Sequence, residues 1–340
     1  MTASRFSRFA TSLFAASALL AGCGGNANVA PSAPVLGAGA AKVAAPITGD
    51  RIVSPPGVQF PAHARSWMSP NASKQQLLYV SDQTANAVYV YSYPFDSLQV
   101  SLAGFDTPQG LCVDSSADVF VADYANTRIR VYAHGSLTPK ATLQDPGYGP
   151  VSCSIDPTTG NLAVGNYEGV GSVQGNVALY KGASGSPVAY YSAPSLDRVF
   201  FCTYDASGNL WVDGISSASQ FDLAELKKGA KKFTHIFVNQ TFGRPGGIQW
   251  VGKYLAIGDL ATSTVYRFLV TGDKATTVGG VVLGGAGEVV QYLVTSGKLI
   301  GPDFTGKDVG IWKFPAGGTA LKTIGGLSGP FAAVLSTVKN

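Results

Sequence analysis

A short apolar tetrapeptide that ends in Asp, Asn or Gly recurs six times, and this repeat constrains the fold more than any other feature. The copies are YVSD at 79–82, FVAD at 120–123, AVGN at 163–166, WVDG at 211–214, AIGD at 256–259 and IGPD at 300–303. Successive copies end 41, 43, 48, 45 and 44 residues apart. A period of about 40–50 residues with several short strands per repeat is typical of a β-propeller, in which each repeat forms one blade.

The second repeat divides into four predicted strands, named A to D from the inside of the blade outwards. They are strand A at 110–113, strand B at 119–122, strand C at 128–132 and strand D near 140–143. Strand B is continuously apolar, as expected of a strand that packs against neighbours on both faces. The A–B turns DPTTGN at 156–161 and DASGN at 205–209 combine an early Asp with a late Gly, which suits a type I turn closed by a left-handed residue.

Six copies predict an all-β, six-bladed β-propeller of four-stranded antiparallel blades. The last apolar segment, residues 331–335, resembles a lone strand A, whereas residues 77–80 form a strand B that lacks its own strand A. We therefore expect the C-terminal strand to pair with the N-terminal strands and close the ring. Closure of this kind removes free sheet edges.

The N-terminus has the features of a secretory signal peptide. Arg5 and Arg8 supply positive charge, an apolar run follows, and the stretch ends in Leu20-Ala21-Gly22-Cys23. This end resembles the lipobox of bacterial lipoproteins, which implies that residues 1–22 are removed and that Cys23 carries the lipid and anchors the chain in a membrane. An ordinary cleavage site beside an unrelated cysteine is the alternative.

Residues 23–65 are rich in Ala, Gly and Pro and almost free of charge, which predicts a flexible tether between Cys23 and a propeller at 66–340. Because Gly24 and not Asp follows the cysteine, resemblance to bacterial sorting rules favours the outer membrane or cell surface. The mature chain would carry 22 basic and 20 acidic residues, which gives no argument for nucleic acid as a partner. We expect a monomer in the cell envelope.

Residues 107–132, TPQGLCVDSSADVFVADYANTRIRVY, resemble an NHL repeat. Such repeats are similar to the blades of gluconolactonase-like and virginiamycin-lyase-like propellers. The resemblance is close in this copy, partial in the first and weak in the last four. It implies the fold, but it leaves the function open because propellers host enzymes, sensors and binding platforms.

The gluconolactonase-like resemblance implies one divalent cation held by Glu, Asn and Asp side chains at the channel mouth, partly from P-[DN]-G motifs. The matching positions here hold other residue types: Gln109, Val151, Gly246 and Phe331. A hard cation needs several converging oxygen ligands, so we expect neither a metal nor another cofactor. Asp197 and Glu288, near the starts of other strands A, leave a remade site open.

The lyase-like resemblance implies a catalytic His with acidic residues and magnesium. The three His residues are instead expected to be exposed or structural: His63 in the tether, His134 in a C–D turn and His235 in an outer strand. No nucleophile elbow, zinc helix or phosphate loop is present. The sequence therefore favours a protein that is not an enzyme, with a divergent metal-dependent lactonase or other hydrolase as the alternative.

Three cysteines remain in the predicted strands A, namely Cys112, Cys153 and Cys202. Buried free thiols are expected, because such thiols behave as small apolar residues. A Cys112–Cys153 disulfide between adjacent blades stays open as the second interpretation. Trp211, Trp250 and Trp312 are predicted to be core residues.

A lysine-rich run at 226–232 joins a strand C to a strand D. It indicates a solvated hairpin tip, or a contact with anionic lipid headgroups or lipopolysaccharide.

The face that carries the B–C and D–A loops, called the loop face below, is where ligands are expected. The Asp residues that end strands B are predicted mainly to cap the B–C turns, and any ligand at the channel mouth would meet them. Residues 166–176 form the longest B–C loop. The candidate ligand-face residues are Asp82, Asp123, Tyr124, Asn166, Tyr167, Glu168, Arg198, Arg244, Asp259, Glu288 and Asp303.

These observations favour a non-catalytic, membrane-anchored envelope lipoprotein. Its propeller would serve as a binding or scaffold module for an envelope protein or a glycan. A purely structural interaction protein without a small ligand is a further possibility.

Overall fold

The computed structural model describes residues 50–53, 66–94, 97–146, 148–169 and 173–338. Nearly all regular structure in these ranges is strand, with three one-turn 3-10 helices at Ala72–Lys74, Tyr124–Asn126 and Lys181–Ala183. None of the described helices has the length and apolar character needed to cross a bilayer. The predicted signal peptide, Cys23 and His63 lie outside the described residues.

The strands are numbered in chain order. They are β1 Asp50–Val53, β2 Trp67–Met68, β3 Leu77–Asp82, β4 Ala87–Ser92, β5 Leu98–Leu102, β6 Pro108–Val113, β7 Val119–Asp123, β8 Arg128–Tyr132, β9 Ala141–Gln144, β10 Tyr148–Ile155, β11 Leu162–Gly169, β12 Asn176–Tyr180, β13 Ala189–Tyr191, β14 Arg198–Tyr204, β15 Leu210–Ile215, β16 Phe221–Leu226, β17 Thr234–His235, β18 Phe237–Val238, β19 Pro245–Val251, β20 Tyr254–Asp259, β21 Thr264–Thr271, β22 Lys274–Gly284, β23 Leu293–Thr295, β24 Lys298–Asp303, β25 Asp308–Lys313, β26 Gly317–Gly325 and β27 Pro330–Ser336.

Consecutive strands pair as antiparallel meanders. Three sheets are four-stranded, β6–β9, β10–β13 and β14–β17, and a fourth has the order β2-β5-β4-β3-β27. The fifth sheet has ten strands and contains two more such runs, β19–β22 and β23–β26, joined by a short parallel pairing of β22 with β26. The predicted all-β class and the four-stranded antiparallel meanders are confirmed.

The C-terminal strand closes the first sheet. β27 pairs antiparallel with β3, from Pro330 opposite Asp82 to Ser336 opposite Leu77, as the sequence predicts. A histidine fastens this junction, because His134 Nδ1 lies 2.7 Å from Ser336 Oγ and Nε2 lies 2.9 Å from the carbonyl oxygen of Gln75. His134 is thus a structural residue between two sheets.

Part of the segment predicted as a tether joins a sheet edge. β1 pairs in parallel with residues 322–325 of β26, the outermost strand of its meander. The flexibility predicted for residues 23–65 therefore does not extend to residues 50–53.

Strand B residues are apolar in succession because each face of the strand packs on a different neighbouring sheet. In β7, Val119 and Val121 belong to a cluster that includes Leu102 of β5, whereas Phe120 belongs to a second cluster with Val164 of β11. Each meander is therefore buried on both faces.

Two of the three predicted core tryptophans are buried. Trp211 and Trp312 are 3% and 2% exposed, which confirms the prediction for them. Trp250, the penultimate residue of β19, packs against the main core cluster but is only half-buried, because it also lines an open cleft.

The inner strands of two sheets are joined covalently. Cys112 of β6 and Cys153 of β10 form a disulfide, with their Cα atoms 5.6 Å apart. The expectation of free thiols is wrong for this pair, because the inner strands approach within disulfide reach. It is correct for Cys202, a buried free thiol 3.6 Å from Ser152 Oγ.

The A–B turns have the predicted chemistry. Asp205 Oδ1 accepts hydrogen bonds from the N–H groups of Ser207 and Asn209, both at 2.9 Å. Gly208 sits in the left-handed region at φ 84°, where glycine carries no steric cost. Each such turn satisfies its own backbone groups.

Candidate ligand-binding face

Four of the predicted ligand-face carboxylates occupy one position in the fold, the last residue of strand B. They are Asp82 of β3, Asp123 of β7, Asp259 of β20 and Asp303 of β24, and each is at most 3% exposed. In three sheets the residue opposite on strand A is a proline, which has no N–H to donate. The carboxylate bonds instead to the residues that precede strand A.

Asp303 illustrates these hydrogen bonds. Its oxygens accept from the N–H groups of Gly287 at 2.7 Å and Glu288 at 2.8 Å, in the D–A loop. They also accept from Gly306 at 2.9 Å, in the B–C turn. The donors around Asp82, at 2.7 to 2.9 Å, are the backbone N–H groups of Ser328, Gly329 and Ala85. One carboxylate thus ties the D–A loop to the B–C turn of its own blade.

The role of these carboxylates corrects two predictions. They hold the D–A loop as well as the predicted B–C turn, and their oxygens are directed into the protein. The prediction that an entering ligand would meet them is wrong, because the side chains of Asp82 and Asp123 are inaccessible to solvent. Burial raises the pKa of both carboxyls, and the hydrogen bonds they accept offset part of this rise.

Two sheets depart from this arrangement. In β11 the position holds Asn166, which is buried and donates from Nδ2 to Asn176 Oδ1 at 3.0 Å. In β15 it holds Gly214, where a Cβ atom would collide with the carbonyl oxygen of Arg198. Asp213, one residue earlier, accepts a hydrogen bond from Phe201 N–H at 2.9 Å.

Sequence reasoning missed Asp213. The residue is fully buried, Oδ2 has no partner among the described residues, and burial raises the pKa of the carboxyl well above its usual range. The signal was present in the sequence, since this is the only strand B copy in which the acid comes before the last position.

A second group of predicted residues comes together on the loop face. Arg198 Nη1 lies 2.7 Å from Asp197 Oδ2, and Arg198 Nε lies 3.4 Å from Glu168 Oε2. The guanidinium carbon lies 5.7 Å from the centre of the Tyr167 ring, within range of a cation–π contact. Tyr124 adjoins these charges, but it is 3% exposed and burial raises its pKa to about 12. The prediction that Tyr124 reaches the surface is wrong.

The remaining predicted pair also forms. Arg244, before β19, makes an ion pair with Glu288, before β23, and their side chains are 25% and 8% exposed. Glu288 Oε2 is buried without a partner in the described part of the chain. The two candidate arginines of the loop face, Arg198 and Arg244, are therefore both paired with carboxylates.

The innermost strands approach one another closely. Gln291, before β23, accepts a hydrogen bond from Leu111 N–H at 3.2 Å and donates to Leu111 O at 2.6 Å. At Gly110 a Cβ atom would lie 2.5 Å from the carbonyl oxygen of Val151. Only glycine fits such an approach, so backbone and the Gln291 amide occupy the space between these strands.

The positions that would carry a cation in gluconolactonase-like propellers have other roles. Gln109 is buried and donates to Gln83 Oε1 at 3.1 Å. Phe331 packs 6.1 Å from Phe201, measured between ring centres. Across the described ranges, no three His, Cys, Asp or Glu side chains come together in a group that could hold a metal ion.

The structure also contains a cleft that sequence reasoning missed. It lies on the face formed by the A–B and C–D turns, which we call the turn face, and its walls include residues 204–207 and Trp250. The turn face is opposite the loop face, because each strand B begins at an A–B turn and ends at a B–C loop. The signal that could have indicated it is an aromatic residue near the end of two successive strands A, Tyr204 and Trp250.

Comparisons with known proteins support the propeller. The profile of the NHL repeat matches residues 105–132, which span β6, β7 and β8. A chain from the crystal structure of a nidogen–laminin complex is 12% identical and superposes with a TM-score of 0.63, covering 78% of this chain and 100% of that one. Hydrazine synthase of Kuenenia stuttgartiensis is 16% identical with a TM-score of 0.58, covering 74% and 84%.

A search of curated protein sequences finds no match. At such low identity the structural neighbours establish the fold alone. The chain contains an NHL repeat at residues 105–132 and has a β-propeller fold.

Proposed function

We propose that this protein is a non-catalytic binding or scaffold module of the bacterial cell envelope, held at a membrane by a lipid on Cys23. The propeller would take a protein or glycan ligand and act as a monomer. The observation that carries the proposal is the loop face, where buried carboxylates hold the loops and Arg198 and Arg244 remain at the surface in ion pairs. Such a face offers a rigid charged platform for a partner.

Six blades are part of the proposal. Three separate four-stranded meanders, the closed β27-containing sheet and the two runs within the ten-stranded sheet support that number. The six copies of the strand B tetrapeptide agree with it.

The anchor is tested by fractionating cells that express the full-length protein. We expect the wild-type protein in the membrane fraction, most of it with the outer membrane, and a Cys23→Ala variant in the soluble fraction. Retention of the variant in the membrane fraction would contradict lipid attachment.

The binding function is tested by a thermal-shift screen of the full-length protein against glycans, metal ions and lactones. A ligand stabilises the fold by RT ln(1 + [L]/Kd), so even modest affinities raise Tm. The proposal expects a shift with a glycan or an isolated envelope protein. Stoichiometric calcium binding together with lactone turnover would instead establish the hydrolase alternative.

An Arg198→Glu variant tests whether the partner binds on the loop face. The change breaks the ion pairs with Glu168 and Asp197 and reverses the exposed charge, so capture of the envelope partner should fall. Lys313→Glu, an exposed charge reversal at the opposite end of its blade, is the matched control and should leave capture unchanged.

A further inference from the structure

The turn-face cleft has the dimensions of a small-molecule site. Its volume is about 450 Å³, and it lies among the A–B turns of three successive meanders, lined by Pro157, residues 204–207, Trp250 and Gly252. Pockets for small ligands commonly have volumes of about 300–1,000 Å³. The cleft is thus large enough for one or two sugar rings.

The aromatic wall of the cleft is fixed in place. Trp250 packs edge-on against Trp211, with ring centres 5.3 Å apart, and Trp211 Nε1 donates to Asp205 Oδ2 at 3.3 Å. The Trp250 ring is only half-buried, although its indole nitrogen is buried and has no acceptor among the described residues. A rigid aromatic side chain beside hydroxyl and backbone groups suits the apolar face of a sugar ring, whose hydroxyls need polar partners.

Positive charge without ion-pair partners surrounds the cleft. The lysine loop, which comprises Lys227, Lys228, Lys231 and Lys232, lies beside one of the A–B turns that form the cleft, since Lys228 N–H donates to Asn209 Oδ1 at 2.9 Å. Lys253 follows Gly252 in the cleft lining. These five lysines are exposed, and in the described ranges none of them forms an ion pair.

The nearby acids offset part of this charge, since Asp205 lines the cleft and Lys228 helps to lower the pKa of Asp156 against the effect of its burial. The five lysines outnumber these two acids. Asp205 is occupied by turn hydrogen bonds and by the Trp211 indole. Asp156 accepts from Thr158 and Thr159 within its own turn. Lysine ammonium groups recognise phosphate as point charges, and their attraction for an anion increases at the edge of a cleft.

We propose that the turn-face cleft binds a phosphorylated sugar, with the ring against Trp250 and the phosphate at Lys228 and Lys253. This inference rests on the proposed binding function and names a site and a ligand class for it. The phosphorylated sugar has two sources, a free sugar phosphate or the headgroup of a lipid. The site is separate from the loop face, so one protein could hold a protein partner and a sugar at opposite faces.

Tryptophan fluorescence of the full-length protein tests the proposal, because Trp250 would contact the ring. Glucose 6-phosphate should change the signal saturably and bind at least tenfold more tightly than glucose or inorganic phosphate. A K228E/K253E variant should weaken binding at least tenfold, whereas K74E/K307E, two exposed lysines outside the cleft, should change it less than twofold. Absence of saturable binding, or equal binding by K228E/K253E, would overturn the proposal.

Vesicles distinguish the two sources, with Cys23→Ser in the full-length protein to remove the predicted anchor. Retention on phosphatidylcholine vesicles containing lipid A, whose headgroup is a phosphorylated disaccharide, but not on those containing phosphatidylglycerol, supports a lipid source. Retention on neither, with glucose 6-phosphate binding intact, supports a free sugar. Equal retention on the lipid A vesicles and the phosphatidylglycerol vesicles overturns the proposal, because negative charge alone would then explain the binding. Failure of all these tests while Arg198-dependent capture persists would reject the cleft and leave the proposed function standing.

Discussion

The two faces of the propeller use their polar side chains in opposite ways. On the loop face, Asp82 and Asp303 are buried and each accepts three backbone hydrogen bonds. On the turn face, Lys228 and Lys253 are exposed without ion pairs in the described part of the chain. At these positions, charge stabilises the fold on the loop face and is exposed to solvent on the turn face.

The difference follows from the connections. A D–A loop leaves one meander and enters the next, so its buried N–H groups have no strand partner and need a side-chain acceptor. An A–B turn closes a hairpin and satisfies its own groups, as Asp205 does for Ser207 and Asn209. Substitutions of the buried loop-face carboxylates should therefore reduce stability, whereas substitutions of the exposed turn-face lysines should change binding with little effect on stability.

Asp82→Ala should have the largest effect on stability. Three buried N–H groups lose their acceptor, and each such loss costs about 1–3 kcal/mol, so we expect a decrease of about 3–5 kcal/mol in the free energy of unfolding. Urea unfolding of the full-length protein measures it. The exposed Asp273→Ala is the control and should be neutral. An Asp82→Ala protein as stable as the wild type would refute the structural role of the loop-face carboxylates.

The disulfide is the strongest stabilising element near the turn face, since Cys112 and Cys153 precede the A–B turns of adjacent meanders. It spans 41 residues, and closing a loop of that size stabilises a fold by about 2–4 kcal/mol. A C112S/C153S variant should lose that amount in oxidising buffer. Reductant should lower the stability of the wild type and leave the double variant unchanged; equal sensitivity of both would contradict the bridge.

The fold was predictable because its signal is repeated. Six similar strand B segments make the strand assignment clear even where a single copy is ambiguous. The incomplete first and last repeats predict the pairing of β27 with β3. The disulfide was not predictable, since it depends on how closely two inner strands approach. That distance is set by residues such as Gly110, whose missing side chain leaves room for Val151.

The sequence could predict which candidate residues lie close together, but not which of them face solvent. Arg198, Glu168 and Tyr167 come together because the repeat places them at equivalent ends of adjacent blades. Whether a side chain faces outward depends on its partners, which are distant in sequence: Asp82 bonds to residues 328 and 329. The cleft escaped prediction for a similar reason, because three separate turns form its walls.

Asp145, in a D–A loop, differs from Asp82 and Asp303 on the same face. It is inaccessible to solvent. Tyr190 Oη donates to one of its oxygens at 3.0 Å, and the other oxygen has no hydrogen-bond partner in the described ranges. Burial raises its pKa from 3.8 to about 6. The folded state thus keeps this proton to a higher pH than the unfolded chain does. The protonated carboxyl therefore stabilises the fold below pH 4, and this contribution is lost as the pH rises through 6.

An Asp145→Asn variant should therefore lack this part of the pH dependence. Because a shift of one pKa unit corresponds to about 1.4 kcal/mol, the wild type should lose about 2–3 kcal/mol more than the variant between pH 4 and pH 7. Urea unfolding at several pH values measures the difference. Parallel curves of unfolding free energy against pH for the two proteins would contradict a raised pKa of Asp145 in the folded state.

The smallest change in stability is expected from the lysine loop. Lys227 and Lys231 are exposed side chains without ion pairs in the described part of the chain, so K227A/K231A should alter the free energy of unfolding by less than about 0.5 kcal/mol. The same variant removes two of the five positive charges around the cleft, and its affinity for glucose 6-phosphate should fall by more at low salt than at high salt. A large loss of stability would mean that the turn face, like the loop face, depends on its charges to fold.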